Sequence, residues 1–246
     1  MKNLAIDIGN TLVKLAVFED GRLLELKITP AENISFVLNK LVISHPEISE
    51  SILASVAGIH KDVIANSLKN QSILELTATT PVPFRNLYET PHSLGIDRIA
   101  LTVAATCEYP NKNVLVIDAG TCITYDMVTK NKEYVGGAIS PGVNMRLEAM
   151  HNFTSKLPLI RIEKETSDKI IGTTTQENLE IGALMGAALE INGFIESYEL
   201  QYQDLTVILT GGDSQLLSKK VKNGIFASYN FLLKGLNHIL EFNTTK

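Results

Sequence analysis

The sequence predicts an α/β protein assembled from two duplicated halves, and three observations carry that prediction. Residues 4–17 form two apolar runs rich in β-formers around a tight polar turn, which is the pattern of a hairpin. Residues 114–125 repeat that pattern, with Asp118 and Gly120 standing 111 positions after Asp7 and Gly9. The first half then reads as three strands, helix, strand, helix, strand, the order of a compact α/β unit. A β-turn-β unit repeated at half-chain distance points to duplicated domains facing one another across a cleft.

In chain order, the first hairpin leads through the turn Glu19-Asp20-Gly21 to a third strand over 22–29. Ile34, Val37, Leu38 and Leu41 recur at helical spacing and predict a helix over 31–43. A short buried strand over 51–57, a helix through about residue 68 and a strand over 73–77 complete a ribonuclease-H-like plan. Pro81 and Pro83 forbid regular structure around them, so the chain is read as an extended loop as far as Leu94. An apolar helix over 99–106 follows. The turn-formers Tyr109-Pro110-Asn111-Lys112-Asn113 then mark a boundary that divides the chain into domains 1–110 and 111–246.

The second half opens on the repeated hairpin, turns at 129–132, and enters a third strand at Tyr134 that ends at Gly136-Gly137. Ser140-Pro141-Gly142 leads into a helix over 144–151, and residues 157–163 are extended. The longest helix runs to about Glu199, and Thr174 with Glu177 has capping-box spacing at its start. Gly182 and Gly186 among Ala183, Ala187 and Ala188 allow this helix to approach a neighbour closely, within the fold or across a dimer. A strand over 206–210, the turn Gly211-Gly212-Asp213 and an amphipathic last helix over 229–242 follow, with a frayed tail from Asn243.

The polar turns carry the chemistry. In Asp7-Ile8-Gly9-Asn10-Thr11-Leu12-Val13-Lys14, Gly9 admits a ligand close to the backbone, and Asn10, Thr11 and the turn amides form an anion-binding concavity. Asp7 at the strand mouth suits a hydrated divalent cation, and Lys14 returns toward the turn as a point charge. The same residue types also occur in surface turns for local reasons. The second turn, with Asp118, Gly120 and Thr121, is its counterpart, and Gly211-Gly212 would let a nucleoside lie against the backbone. Asp97, at the start of its helix and fed by a loop containing Tyr88, suits an alcohol-phosphorylating site. A helix N-cap explains the same residue.

Composition narrows the class. A chain of 246 residues, 45% hydrophobic and 20% charged, has room for two domains with real cores. A net charge of −5 argues against a nucleic-acid surface. No apolar run approaches the roughly 18 residues of a membrane span, and Met1-Lys2-Asn3 leads straight into a strand, which reads as no signal peptide. Two cysteines, Cys107 and Cys122, imply no disulfide framework and fit a reducing cytoplasm, and the five histidines show no metal-ligand pairing. No Gly-Lys dipeptide occurs, which excludes a Walker loop, and no Gly-x-Gly-x-x-Gly motif appears.

The two hairpins together with Leu209-Thr210-Gly211-Gly212-Asp213 resemble the actin, hexokinase and Hsp70 class of nucleotide-binding folds. Within it, Asp7-Ile8-Gly9-Asn10-Thr11, Gly95-Ile96-Asp97-Arg98, Asp118-Ala119-Gly120-Thr121 and the run from Gly136 to Gly142 resemble, in order, type III pantothenate kinase. The resemblance implies an actin-like ATPase fold with ATP in the interdomain cleft. It also implies phosphorylation of pantothenate as the first step of coenzyme A biosynthesis. By the same resemblance Asp97 is the general base, and Tyr88, Gly95, Ile96 and Arg98 bind pantothenate. A threonine at the long helix start also contacts substrate; Thr175 matches best, with Thr173 left open because the usual Lys-Asn-Thr run is missing. ATP falls to residues 7–14, Thr121, Gly211 and Gly212, Mg²⁺ to Asp7 through water, and K⁺ (or NH₄⁺) to Asp118. The family further implies a homodimer, and the composition adds a cytoplasmic setting with no nucleic-acid or membrane partner. Rival readings are another kinase of the superfamily, an accessory transcriptional regulator, and a chaperone-like ATPase with no small acceptor.

Overall fold

The computed structural model describes residues 2–9, 12–55, 61–68, 72–162, 169–222, 224–226 and 230–244. The first elements are β1 (Lys2–Ile8), β2 (Val13–Glu19), β3 (Arg22–Thr29), α1 (Ile34–Ser44), β4 (Ile48–Ser55), α2 (Lys61–Ser67) and β5 (Ser72–Glu75). Next come β6 (Arg85–Asn86), α3 (Ile96–Glu108), β7 (Asn113–Ala119), β8 (Cys122–Val128), β9 (Glu133–Pro141) and α4 (Val143–Asn152). The chain ends with α5 (Thr175–Glu199), β10 (Leu205–Thr210), α6 (Ser214–Leu217), β11 (Gly224–Phe226) and α7 (Phe231–Thr244). Two compact units result. One holds Met1–Pro110, Lys132–Tyr134 and Asn230–Lys246, the other Asn111–Asn131 and Val135–Tyr229.

In the first unit the sheet order is β3-β2-β1-β4-β5. The β1–β2 and β2–β3 pairs are antiparallel, and the β1–β4 and β4–β5 pairs are parallel. Leu4, Ile6, Ile8, Val13, Leu15 and Val17 of the hairpin pack on Ile34, Leu38 and Leu41 of α1, so the apolar alternation and the helical spacing meet in one core. Helix α7 packs on α3, β1 and β4. Asn3 Nδ2 on β1 donates to Asn237 Oδ1 at 2.9 Å, while Lys234 Nζ and His238 Nε2 hold Glu108 at 2.6 and 3.0 Å. The terminal helix is therefore part of the first unit. It also runs beyond the expected end, because Asn243 Nδ2 donates to Pro81 O at 3.0 Å and to Ile239 O at 2.8 Å instead of fraying.

In the second unit β11-β10-β7-β8-β9 repeats the same order from the opposite edge, with the hairpin strand β7 between its antiparallel partner β8 and the parallel strand β10. Leu115, Ile117, Ile123 and Tyr125 pack on Leu184, Ala187, Ile191 and Ile195 of α5. The first residues of β9, Glu133 and Tyr134, belong with the first unit and pair in parallel with β6. The loop over 80–94 is thus not wholly irregular, since it holds β6 and a 3₁₀ turn at Pro91–Ser93.

Strand β9 does not end at Gly136-Gly137 but continues to Pro141. A Cβ at Gly137 would collide with the Tyr125 carbonyl, so this glycine marks close approach between strands, where the sequence suggests a stop. At the start of α5, Thr174 Oγ1 accepts from Glu177 N at 3.2 Å, and Glu177 Oε2 accepts from Thr173 N at 2.7 Å and Thr173 Oγ1 at 2.9 Å. Thr174→Ala is expected to lower stability by about 1 kcal/mol. Urea denaturation should show it as a lower midpoint with an unchanged slope.

Candidate active site

In the first unit, Gly9 N donates to Leu12 O at 3.1 Å and closes the turn between β1 and β2; Asn10 and Thr11 lie outside the described residues. Ile8 and Val13 are core side chains, which leaves only their backbone for contact with a ligand, whereas Leu12 is exposed. Asp7 pairs across the hairpin with Lys14, whose Nζ stands 3.7 Å from Asp7 Oδ2. Burial pushes the Asp7 carboxyl up to about 6; the Lys14 charge holds it back and the nearby Asp97 carboxylate adds to the rise. A carboxylate tuned in this way beside one cation is a candidate functional group.

Asp97 is not the capping residue of α3. The helix starts at Ile96 with Gly95 in the capping position, and Asp97 sits in the first turn, its Oδ1 accepting from Arg98 N at 2.8 Å. A Cβ on Gly95 would collide with that same Oδ1, so the glycine makes room for the carboxylate to fold back. Arg98 is only 5% exposed, and its guanidinium carbon stands 6.0 Å from the Tyr88 ring centre. Tyr88 is braced in turn. Its ring lies 6.0 Å from that of fully buried Tyr134, and its N–H donates to Asn86 Oδ1 at 2.9 Å. The first unit therefore brings Tyr88, Gly95, Ile96, Asp97 and Arg98 to one end of α3, with Asp7 and Lys14 in electrostatic reach.

In the second unit Asp118 occupies in β7 the place that Asp7 occupies in β1, and Gly120 N donates to Cys122 O at 2.9 Å to close a tighter turn. Gly142 N donates to Thr121 O at 3.1 Å, and a Cβ there would strike the carbonyls of Gly120 and Thr121. Gly211 has φ 95°, and a Cβ on it would meet Ala119 O and Asp118 Oδ1; Asp213 N donates to Ala119 O at 2.9 Å. The turn is thus clamped between two glycine backbones, with the Thr121 side chain exposed and Gly212 open. Burial pushes the Asp213 carboxyl upward. Thr175 is the first residue of α5 and exposed, while Thr173 is tied to Glu177.

The clamping role of Gly142 is not visible in the sequence, where Pro141-Gly142 reads as ordinary turn chemistry. Its partner lies 21 positions earlier, and no local signal links the two. The donor sets suit hard cations. Asp118 Oδ1 and the Ala119 carbonyl both lie against Gly211, and Asp7 offers one carboxylate. No group of three His, Cys, Asp or Glu side chains that could hold a metal ion converges among the described residues.

Two units with this strand order, each carrying a polar hairpin turn, define an actin-like ATPase fold of the kind found in sugar kinases. Solved structures share it. A Campylobacter jejuni chain named as a conserved Baf family transcriptional activator has a TM-score of 0.63 at 22% identity, covering 99% of this chain and 100% of that one. The activator of 2-hydroxyisocaproyl-CoA dehydratase from Clostridium difficile, with bound ADPNP, has a TM-score of 0.58 at 12% identity, covering 100% and 96%. The family model for type III pantothenate kinase matches residues 3–197. A type III pantothenate kinase from Christiangramia forsetii is 48% identical over 244 residues, 99% of this chain and 100% of that protein. The chain belongs to the type III pantothenate kinase family.

Proposed function

We propose that this protein transfers the γ-phosphoryl group of ATP to the primary hydroxyl of pantothenate, giving 4'-phosphopantothenate and ADP in the first step of coenzyme A biosynthesis. Identity of 48% to a type III pantothenate kinase along essentially the whole chain carries the reading. The Asp97, Arg98 and Tyr88 cluster supports it from within.

Phosphoryl transfer asks a protein for alignment and charge neutralisation more than covalent chemistry. Residues 7–14 and Thr121 serve the phosphates of ATP, and Gly211 and Gly212 its nucleoside. Asp7 would hold Mg²⁺ through water, the ion would supply charge neutralisation for the transferring phosphate, and Lys14 offers its ammonium beside it. Asp118 would hold K⁺ or NH₄⁺ beside the second turn. Arg98, backed by Tyr88, engages the pantothenate carboxylate end, and Thr175 contacts the same substrate, since Thr173 is committed to Glu177. Asp97 accepts the hydroxyl proton as that oxygen bonds to the γ-phosphorus and the bond to the β,γ-bridging oxygen breaks, releasing ADP. A positioned base of this kind is worth about 3–5 kcal/mol and alignment about 7–11 kcal/mol.

The same reading makes the protein a cytoplasmic homodimer. Cys107 and Cys122 are free, and no described helix is long and apolar enough to cross a membrane. Coupled ADP release measured with and without pantothenate, in Mg²⁺ and K⁺, tests the proposal. Release that depends on pantothenate is expected, and equal release without it would overturn the substrate. Gly95→Ala should lower kcat about tenfold or more by displacing the Asp97 carboxylate. The helix itself should persist, because φ −58° at this position suits alanine.

A further inference from the structure

Four side chains from four elements meet in the second unit, none of them in the polar turns or at the start of α3. Glu190 on α5 is the hub. Tyr125 Oη on β8 donates to Glu190 Oε1 at 3.0 Å, Ser140 Oγ on β9 donates to the same oxygen, and Arg146 Nη2 on α4 donates to Oε2 at 2.6 Å. Arg146 Nε also donates to Pro141 O at 2.9 Å. Burial opposes ionisation of Glu190, yet these donors outweigh it and hold the carboxyl below its ordinary range. Burial, then the charge of Glu190, pushes the Tyr125 phenol upward, so it remains a donor.

The core alone does not call for this arrangement. On α5 the neighbours of Glu190 toward the sheet are Ala187 and Ile191, both buried, and the Phe194 ring packs 4.2 Å from the Tyr125 ring. A partly buried carboxylate there carries a desolvation cost that an apolar side chain would avoid. What the network does is join two particular stretches of chain. One is β8, which leaves the Gly120-Thr121-Cys122 turn and reaches Tyr125 three residues later. The other is Ser140-Pro141-Gly142, whose last residue donates its N–H to Thr121 O and abuts the Gly120 and Thr121 carbonyls. Both walls of the turn are thereby fastened to one carboxylate on the long helix.

We infer that Glu190 is a positioning residue that holds the Gly120-Thr121 turn in the conformation that receives the phosphates of ATP, an inference that rests on the proposed nucleotide role of that turn. It reaches no substrate itself and acts through Ser140, Arg146 and Tyr125.

The test compares the wild type with Glu190→Ala, which removes the hub, and Glu190→Gln, which keeps its size and one acceptor but loses the charge facing Arg146. Affinity for the non-hydrolysable analogue ADPNP is read by titration calorimetry. KM for ATP and for pantothenate is read from coupled ADP release. Glu190→Ala should weaken ADPNP binding and raise KM for ATP by about tenfold, and Glu190→Gln by about threefold, with KM for pantothenate within about twofold of the wild type. Unchanged ADPNP affinity in both variants overturns the inference. So does an equal loss toward both substrates, which marks a general structural role. If Glu190→Ala does not fold, Glu190→Gln decides on the same terms. A wild type that binds ADPNP but releases no pantothenate-dependent ADP loses its proposed acceptor, and the calorimetry still judges Glu190. A wild type that binds no ADPNP removes the nucleotide reading and this inference with it.

Discussion

Asp97→Asn is expected to cut turnover by about 10²–10⁴-fold while leaving KM for ATP within about twofold of the wild type. The substitution is nearly isosteric, and the amide oxygen can still accept from Arg98 N as Oδ1 does now. The start of α3 should therefore keep its shape, because its capping position is Gly95 and does not depend on this side chain. What disappears is the acceptor for the hydroxyl proton. An interaction made only as the transition state forms lowers kcat and kcat/KM together, and the pantothenate-dependent rate of ADP release reads both. Turnover within threefold of the wild type would take Asp97 out of the role of base.

The second large effect has opposite signs for stability and activity. Asp7 takes up its proton near pH 6 in the folded chain and near 3.8 otherwise, with burial as the leading cause. Between those values the folded protein binds the extra proton, so stability falls as pH rises through this window, and the full cost is present above pH 6. Asp7→Asn should remove that cost. It is expected to raise stability at pH 7 by about 2–3 kcal/mol and flatten the pH dependence between 4 and 6, as followed by urea denaturation across pH. The same change removes the carboxylate that faces Lys14 and that is proposed to hold the metal. It should therefore lower kcat/KM for MgATP by about 10–100-fold, the worth of one charge-assisted interaction. In the wild type, activity should decline below pH 6 as Asp7 is protonated. A variant that is no more stable at pH 7, or fully active, would separate Asp7 from this balance of burial against function.

Much of the fold and of the candidate site is legible in the order of the amino acids. Asp7-Ile8-Gly9 and Asp118-Ala119-Gly120 at a constant offset expose the duplication, since a tight polar turn between two strands constrains a few residues at fixed spacing. The start of the long helix is legible, because Thr174 and Glu177 signal it locally, and its end at Glu199 falls about where the sequence suggests. Features resting on distant partners are not. Gly136-Gly137 looks like a strand end in isolation, and only the Tyr125 carbonyl beneath Gly137 explains why β9 continues. Asp97 reads as a cap or as a base from chain order alone, and only the helix start at Ile96, one residue before it, excludes the cap. Glu190 carries no local signal at all. It is a single acid between Leu189 and Ile191, and its partners lie 44, 50 and 65 positions away.

The sequence by itself determined the fold class, the doubled hairpin and the family, because each rests on short-range patterns: apolar alternation, helical spacing and polar turns in a set order. Only the tertiary structure decided where α7 belongs, since its apolar face and Asn237 match α3 and β1 of the first unit, more than 100 positions earlier. It also decided how the second turn is held, through Gly142, Gly211 and Glu190. Contacts of that kind depend on which backbones come within a Cβ's breadth of one another, and chain order does not encode that distance.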